Sequence, residues 1–278
     1  MPHYNSARAP FLLALASTLT LTLSACEPAL TTPPGQVTHA IQLRQALELD
    51  DLEAVGVTVD AETGQVFVLE AWKGIYELLP DGTATLVAAA DALPTPDVPQ
   101  QSEFTDIAVL DEGVFALTAA ADGYLLDLNE DTLQQHFCYE PGWEEEPLYQ
   151  VTHSLDYDPT TDILYAQPQT FSDADGSLVS AQVGQWDAQD GFDLAWHALQ
   201  DANFVAGGLA ADGEGSLILG RGSELHRFSL VDASFEPLGD LSSYGITDIQ
   251  GLAWDRTERE LLVIDEASDQ LFRIDLEN

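Results

Sequence analysis

The sequence predicts an all-β fold, a propeller of five four-stranded blades closed by a strand from the N-terminal side, and three observations point to it. Residues 251–276 (GLAWDRTERELLVIDEASDQLFRIDL) hold three short alternating apolar runs separated by polar turns, the pattern of half-buried antiparallel strands. The same plan recurs at 56–79, 106–128, 154–167 and 208–230. The acids at the first turn of each copy, Asp60, Asp111, Asp158, Asp212 and Asp255, stand 43 to 54 residues apart, the length of a blade and not of a helical repeat. Six blades is the alternative that this spacing leaves open.

Taken in order, the chain opens with Arg8 and the apolar run 11–23 (FLLALASTLTLTL), the layout of an export signal over 1–25. The run is too short and too rich in Thr for a comfortable membrane span. It ends in Leu23-Ser24-Ala25-Cys26, which resembles the bacterial lipobox. That resemblance implies cleavage before Cys26 and lipidation of its thiol. Glu27 follows where an Asp would be the inner-membrane retention cue, so the outer membrane is favoured over the inner. Residues 26–38, rich in Pro and Thr, suit an extended tether, and the propeller is expected over 39–278. Cys138 is the one other cysteine, so no disulfide framework is available once Cys26 is lipidated.

Residues 39–46 (HAIQLRQA) form an orphan strand candidate ahead of the first copy, and the last copy stops at Asn278 without a fourth strand. Joining the two closes the ring and removes an exposed edge. A further β-prone stretch follows the third strand of most copies, as at 83–88 in the first. The longest excursions are expected at 90–101, 139–149 and 171–201.

The blade grammar, GLA-x-D, then LLVID, then LFRIDL, resembles the NHL, YncE and SMP-30 (gluconolactonase) group of propellers over about residues 50–278. In that group the residue before the first strand and the residue ending the second face the central channel. The resemblance carries these roles to Val55, Asp106, His153, Gly207 and Gln250, and to Glu70, Thr118, Gln167, Arg221 and Asp265. Glu70, Asp106, His153, Arg221, Gln250 and Asp265 are therefore the axial, ligand-binding candidates. Glu70, Asp106 and Asp265 are the candidate oxygen ligands for a hard divalent cation such as calcium. The SMP-30 group holds its cation with a Glu before the first strand of the first blade, where this chain has Val55, and with an Asn where this chain has Gln250.

Catalytic motifs do not support an enzyme: the sequence has no G-x-S-x-G elbow, C-x-x-C pair, P-loop or dinucleotide fingerprint. Asp173-Ala174-Asp175-Gly176 lacks the continuing acids of a calcium loop and reads as a turn. Glu144, Glu145 and Glu146 read as a solvated loop.

Charge narrows the partners. Against 48 Asp and Glu stand 8 Lys and Arg, a formal net charge of -40, which repels a phosphate backbone and anionic head groups. Nucleic acid is excluded as a partner, and membrane attachment is expected through the lipid anchor alone. The expected protein is a monomeric envelope lipoprotein that binds or scaffolds a protein or polymer; the alternative is a divalent-cation-dependent lactonase or esterase of SMP-30 type.

Overall fold

A computed structural model describes residues 33–90, 104–119, 122–138, 148–172, 175–201 and 203–277. Five four-stranded antiparallel sheets account for nearly all of its regular structure, confirming five blades. Blade 1 is β2 (Ala54–Val59), β3 (Val66–Glu70), β4 (Gly74–Leu78) and β5 (Ala84–Ala89). Blade 2 is β6 (Phe104–Asp111), β7 (Val114–Ala119), β8 (Asp122–Asp127) and β9 (Thr132–Cys138). Blade 3 is β10 (Leu148–Asp158), β11 (Ile163–Ser172), β12 (Leu178–Asp187) and β13 (Asp193–Ala198). Blade 4 is β14 (Gly208–Ala211), β15 (Ser216–Arg221), β16 (Glu224–Ser229) and β17 (Phe235–Asp240). Blade 5 is β18 (Ile249–Asp255), β19 (Glu260–Asp265), β20 (Gln270–Asp275) and, as its outer strand, β1 (Gln36–Gln42).

The closure is as the orphan strand predicted. β1 pairs antiparallel with β20 from Gln36 opposite Asp275 to Gln42 opposite Gln270, so the two ends of the described chain share one ladder and leave β20 no free edge. The closing strand lies earlier than expected, however. It starts at Gln36 and stops at Gln42, and residues 43–46 form a single helical turn, α1 (Leu43–Ala46). Helical spacing drops Leu43, Ala46 and Leu47 together into the core between blades 5 and 1, which a straight strand could not do. The Leu43 N–H donates to the Asp269 carbonyl, tying the turn to blade 5.

The innermost strands β2, β6, β10, β14 and β18 neighbour one another in a ring around the axis. Apolar side chains alternate between the two faces of each blade and fill the wedge on either side. Val57, Val66 and Val68 pack toward blade 5, whereas Phe67 and Leu69 pack toward Ile107 and Phe115 of blade 2. Phe67 and Phe115 meet edge to face at 5.1 Å.

The expected excursion at 171–201 is instead the third and fourth strands of blade 3. Its small and polar residues (LVSAQVGQWD) hide the alternation, which the structure reveals in buried Ala181 and Val183, while Trp186 fills the core on the other face of the blade. Blade 3 is also tall: β10 has 11 residues and β11 and β12 have 10 each, against 4 to 8 for the innermost strands of the other blades.

Candidate functional site

The axis has two ends. At the turn end, the first and second strands of each blade meet at the turn acids Asp60, Asp111, Asp158, Asp212 and Asp255. Asp60 shows what these acids do: its Oδ1 accepts the N–H groups of Glu62 and Thr63 at 2.8 and 2.9 Å. At the loop end, the second strands finish and the chain enters the next blade. The extra height of blade 3 is all at the loop end, because Asp158 and Ile163 still pair at its turn.

Most of the candidates carried over by resemblance stand at the loop end. Glu70 and Asp265 end β3 and β19 as expected and are buried. Each carboxylate closes its own blade. Glu70 Oε1 accepts the Glu53 N–H at 3.2 Å, and Oε2 those of Trp72 and Lys73 at 2.9 and 2.5 Å. Asp265 Oδ1 accepts from Thr247 and Asp248, both at 2.8 Å, and Oδ2 from Ser268 at 2.9 Å. Both acids thus clamp the segment entering the first strand to the turn leaving the second. Charge-assisted bonds of this kind hold backbone that no ladder satisfies.

Thr118 lies one residue inside β7, with its hydroxyl 3.0 Å from that of Thr105. Gln167 lies inside β11, since that strand runs on to Ser172. Its amide donates to the Phe204 carbonyl at 2.9 Å and accepts the Ala206 N–H at 2.7 Å, joining blade 3 to the entry of blade 4. Arg221 ends β15 half-exposed, its guanidinium 4.5 Å above the Phe204 ring and 3.7 Å from Asp201 and from Glu224.

Val55, Asp106, His153 and Gln250 fall within the first strands rather than before them, close to a β-bulge in each. A bulge re-aims a side chain out of the ladder. Gln250 accordingly reaches away to donate to Glu266 at 2.6 Å, and Val55 packs against the core of blades 1 and 2. Gly207 just precedes β14, where any side chain would collide with the Ile249 carbonyl. The His153 side chain, Cys26, Asp173 and the 144–146 acids lie outside the described residues.

Asp106 has no exposure at all and works across a seam. Its Oδ1 accepts the Ile107 N–H at 2.8 Å and its Oδ2 the Leu155 N–H of blade 3 at 2.7 Å. The expected cation set of Glu70, Asp106 and Asp265 is therefore divided between two clamps and a seam. Among the described residues no three His, Cys, Asp or Glu side chains come together as a metal site. The physical reason is that strand ends and bulges around a ring leave N–H groups unpaired, and the nearest acids satisfy them.

The turn end holds what the sequence reading missed. A cavity of about 370 Å³ opens there, lined from all five blades, among them by Thr58, Asp111, Asp156, Ala211 and Arg256. Asp156 is buried, its Oδ2 accepting the Ala211 N–H of blade 4 at 2.7 Å. Burial pushes its carboxyl up to about 7, against the opposing pull of the Ala211 and Tyr157 N–H groups and of Arg256. Burial likewise pushes Asp106 well above the ordinary carboxylate range, and the charge of Asp156 adds to that. Arg256 itself pairs with Asp158 at 2.8 Å. A signal for Asp156 was in the sequence: it is a charge inside a strand, at the position where the other copies carry Thr58, Ala108, Ala210 and Ala253.

No family model matches the chain, and no curated protein matches its sequence. Among solved structures it is similar to a gluconolactonase of Xanthomonas campestris, 15% identical with a TM-score of 0.51, over 78% of this chain and 70% of that one. It is also similar to the glutaminyl cyclase of Myxococcus xanthus, 9% identical with a TM-score of 0.54, over 87% of this chain and 97% of that one. Both are likenesses of fold.

Proposed function

We propose that the chain is a cell-envelope lipoprotein, anchored through Cys26, whose propeller binds or scaffolds a protein or polymer at its loop end. The observation that carries this reading is the height of blade 3. Its three inner strands rise past the other blades at one end of the axis and set a wall there, with Val179 half-exposed on it. Raised, rigid β structure beside long connections is the usual support for a recognition surface. The clamping roles of Glu70 and Asp265 also favour binding over metal-assisted hydrolysis, since their oxygens already face backbone N–H groups.

A photo-crosslinker placed at Val179 in intact envelopes is expected to give a defined adduct. One placed at Val231, exposed in a turn of blade 4 at the opposite end, is expected to give none. Adducts from both positions alike, or robust lactone or ester hydrolysis by the purified protein without any adduct, would overturn the reading. For the anchor, metabolic palmitate labelling is expected to mark the wild-type chain and to vanish in Cys26→Ser. An unlabelled wild-type chain that stays in the aqueous detergent phase would remove the lipoprotein assignment.

A further inference from the structure

The turn end has a second cavity, of about 350 Å³, in the cleft between blades 4 and 5. Ile218, Trp254 and Leu276 give it an apolar floor, and all three belong to the core packed between those blades. Arg227, Arg256 and Arg259 line it as well. Three of the chain's eight Lys and Arg thus share one cavity, in a sequence that carries 48 acids. A field this negative repels anions, so gathered guanidiniums single out this cleft as a place where one can be held.

The three arginines differ in what already holds them. Arg256 donates to Asp158 of blade 3 at 2.8 Å and lies against Gly213 of blade 4, where any side chain would collide with its guanidinium. Its place is therefore fixed from three blades. Arg259 pairs with Glu277, but both are more than half exposed, and exposed pairs of this kind are weak. Arg227 has no carboxylate within ion-pair distance among the described residues, although Glu236 stands opposite it on β17. Every other described arginine is held by one. Arg227 also stands opposite Ile218 on β15, and directly paired residues share a face of the sheet, so its side chain leaves blade 4 on the side of the cleft.

Asp212 does not compete for these groups with the oxygen it gives to backbone, since its Oδ1 accepts the N–H groups of Glu214 and Ser216 at 2.8 and 3.0 Å. What the cleft offers is an unpaired guanidinium, a second that is weakly held, a third that is fixed, and a part-buried indole beneath them. Guanidinium forks match planar oxyanions, and an apolar floor takes the body that carries one.

We propose that the cleft between blades 4 and 5 binds a small organic anion, with its carboxylate or phosphate group on Arg227 and Arg259 and its planar or apolar body over Trp254. Arg256 adds fixed positive charge, and Glu277 is the group the ligand displaces. The site lies at the opposite end from the loop-end surface and stands or falls apart from the envelope-binding reading.

The test is a calorimetric titration of the full-length chain with phenyl phosphate, benzoate and neutral benzyl alcohol. Salt of about 0.15 M, where the screening length is about 8 Å, damps the long-range repulsion of the acidic surface. One saturable site is expected for an anionic probe and none for benzyl alcohol, and the tighter of the two anions identifies the phosphate or the carboxylate as the group recognised. Arg227→Gln, at an exposed position, is expected to weaken binding about tenfold, and the double change Arg227→Gln with Arg259→Gln about a hundredfold. Glu277→Gln frees Arg259 and is expected to tighten binding about threefold. Arg221→Gln, which removes the same charge at the loop end, is expected to leave affinity within about twofold. No saturable binding of either anion overturns the proposal. So does equal binding of benzyl alcohol, or a loss in Arg221→Gln as large as in Arg227→Gln.

Discussion

The seams around blades 1 to 3 and those around blade 5 are closed by different means. Between blades 1 and 2 the Thr58 hydroxyl accepts the Val109 N–H at 3.1 Å. Between blades 2 and 3 Asp106 accepts from Leu155, and the Thr105 hydroxyl donates to the Thr152 carbonyl. Between blades 3 and 4 Asp156 accepts from Ala211. At the two seams of blade 5 glycines stand instead. A Cβ at Gly208 would lie 2.7 Å from the Leu252 nitrogen, and one at Gly251 would lie 3.2 Å from the Val57 nitrogen. Blades 1 and 2 use both means, since a Cβ at Gly56 would lie 3.0 Å from the Ile107 nitrogen, whereas side-chain acceptors join blade 3 to its neighbours and close backbone approach joins blade 5 to its own. A ring of unequal wedges can therefore close with either bonds or proximity, and the two fail differently under mutation.

The largest expected effect is at a glycine seam. Gly208→Val places branched carbons against backbone atoms that cannot give way, and is expected to cost about 3 kcal/mol or more in urea unfolding. A loss under about 1 kcal/mol would mean that blade 5 can move aside. Next comes Asp106→Ala, which leaves the Leu155 N–H buried without an acceptor and is expected to cost about 2 kcal/mol.

The pH dependence sharpens the contrast, because only a bonded seam titrates. Burial raises Asp156 to about 7 in the folded chain, so the stability tied to its neutral form is complete below the ordinary value of 3.8. That stability is lost as pH rises through about 7, by less than about 1.4 kcal/mol per pH unit. Urea midpoints measured in chelator should fall less steeply across this window in Asp156→Asn than in the wild type. Equal slopes would show that the carboxyl is not buried as described. The smallest effect is expected at the neutral seam, where Thr58→Val removes one acceptor for about 1 kcal/mol and leaves the pH profile unchanged.

Much of this is legible in the sequence. The alternation within each copy and the recurring turn acids located the blades, and the missing fourth strand of the last copy located its partner. The third and fourth strands of blade 3 are not legible in the sequence, because the buried apolar half of the third strand's alternation is only Ala181 and Val183 before Gly184 and Gln185 break it. Helical residues 43–46 have the pattern of a strand for a related reason: four residues carry too little periodicity to separate one turn of helix from a strand. The site was harder still. Glu70 and Asp265 were placed at their strand ends correctly, but which groups they would meet depended on segments 17 or 18 residues away in the chain.

By itself the sequence determined the repeat, the strand that closes the ring and the strongly acidic character of the chain, since these follow from local alternation and composition, and its spacing narrowed the blades to five or six. Only the tertiary structure decided which acids clamp a blade to itself, which bridge to the next, and that Ser154 is left without a partner. A hydrogen bond across a seam joins residues some 50 positions apart, as Asp106 and Leu155 or Asp156 and Ala211 do. Such pairings depend on where the closed ring sets each innermost strand against the next, and no local property of the chain records that distance.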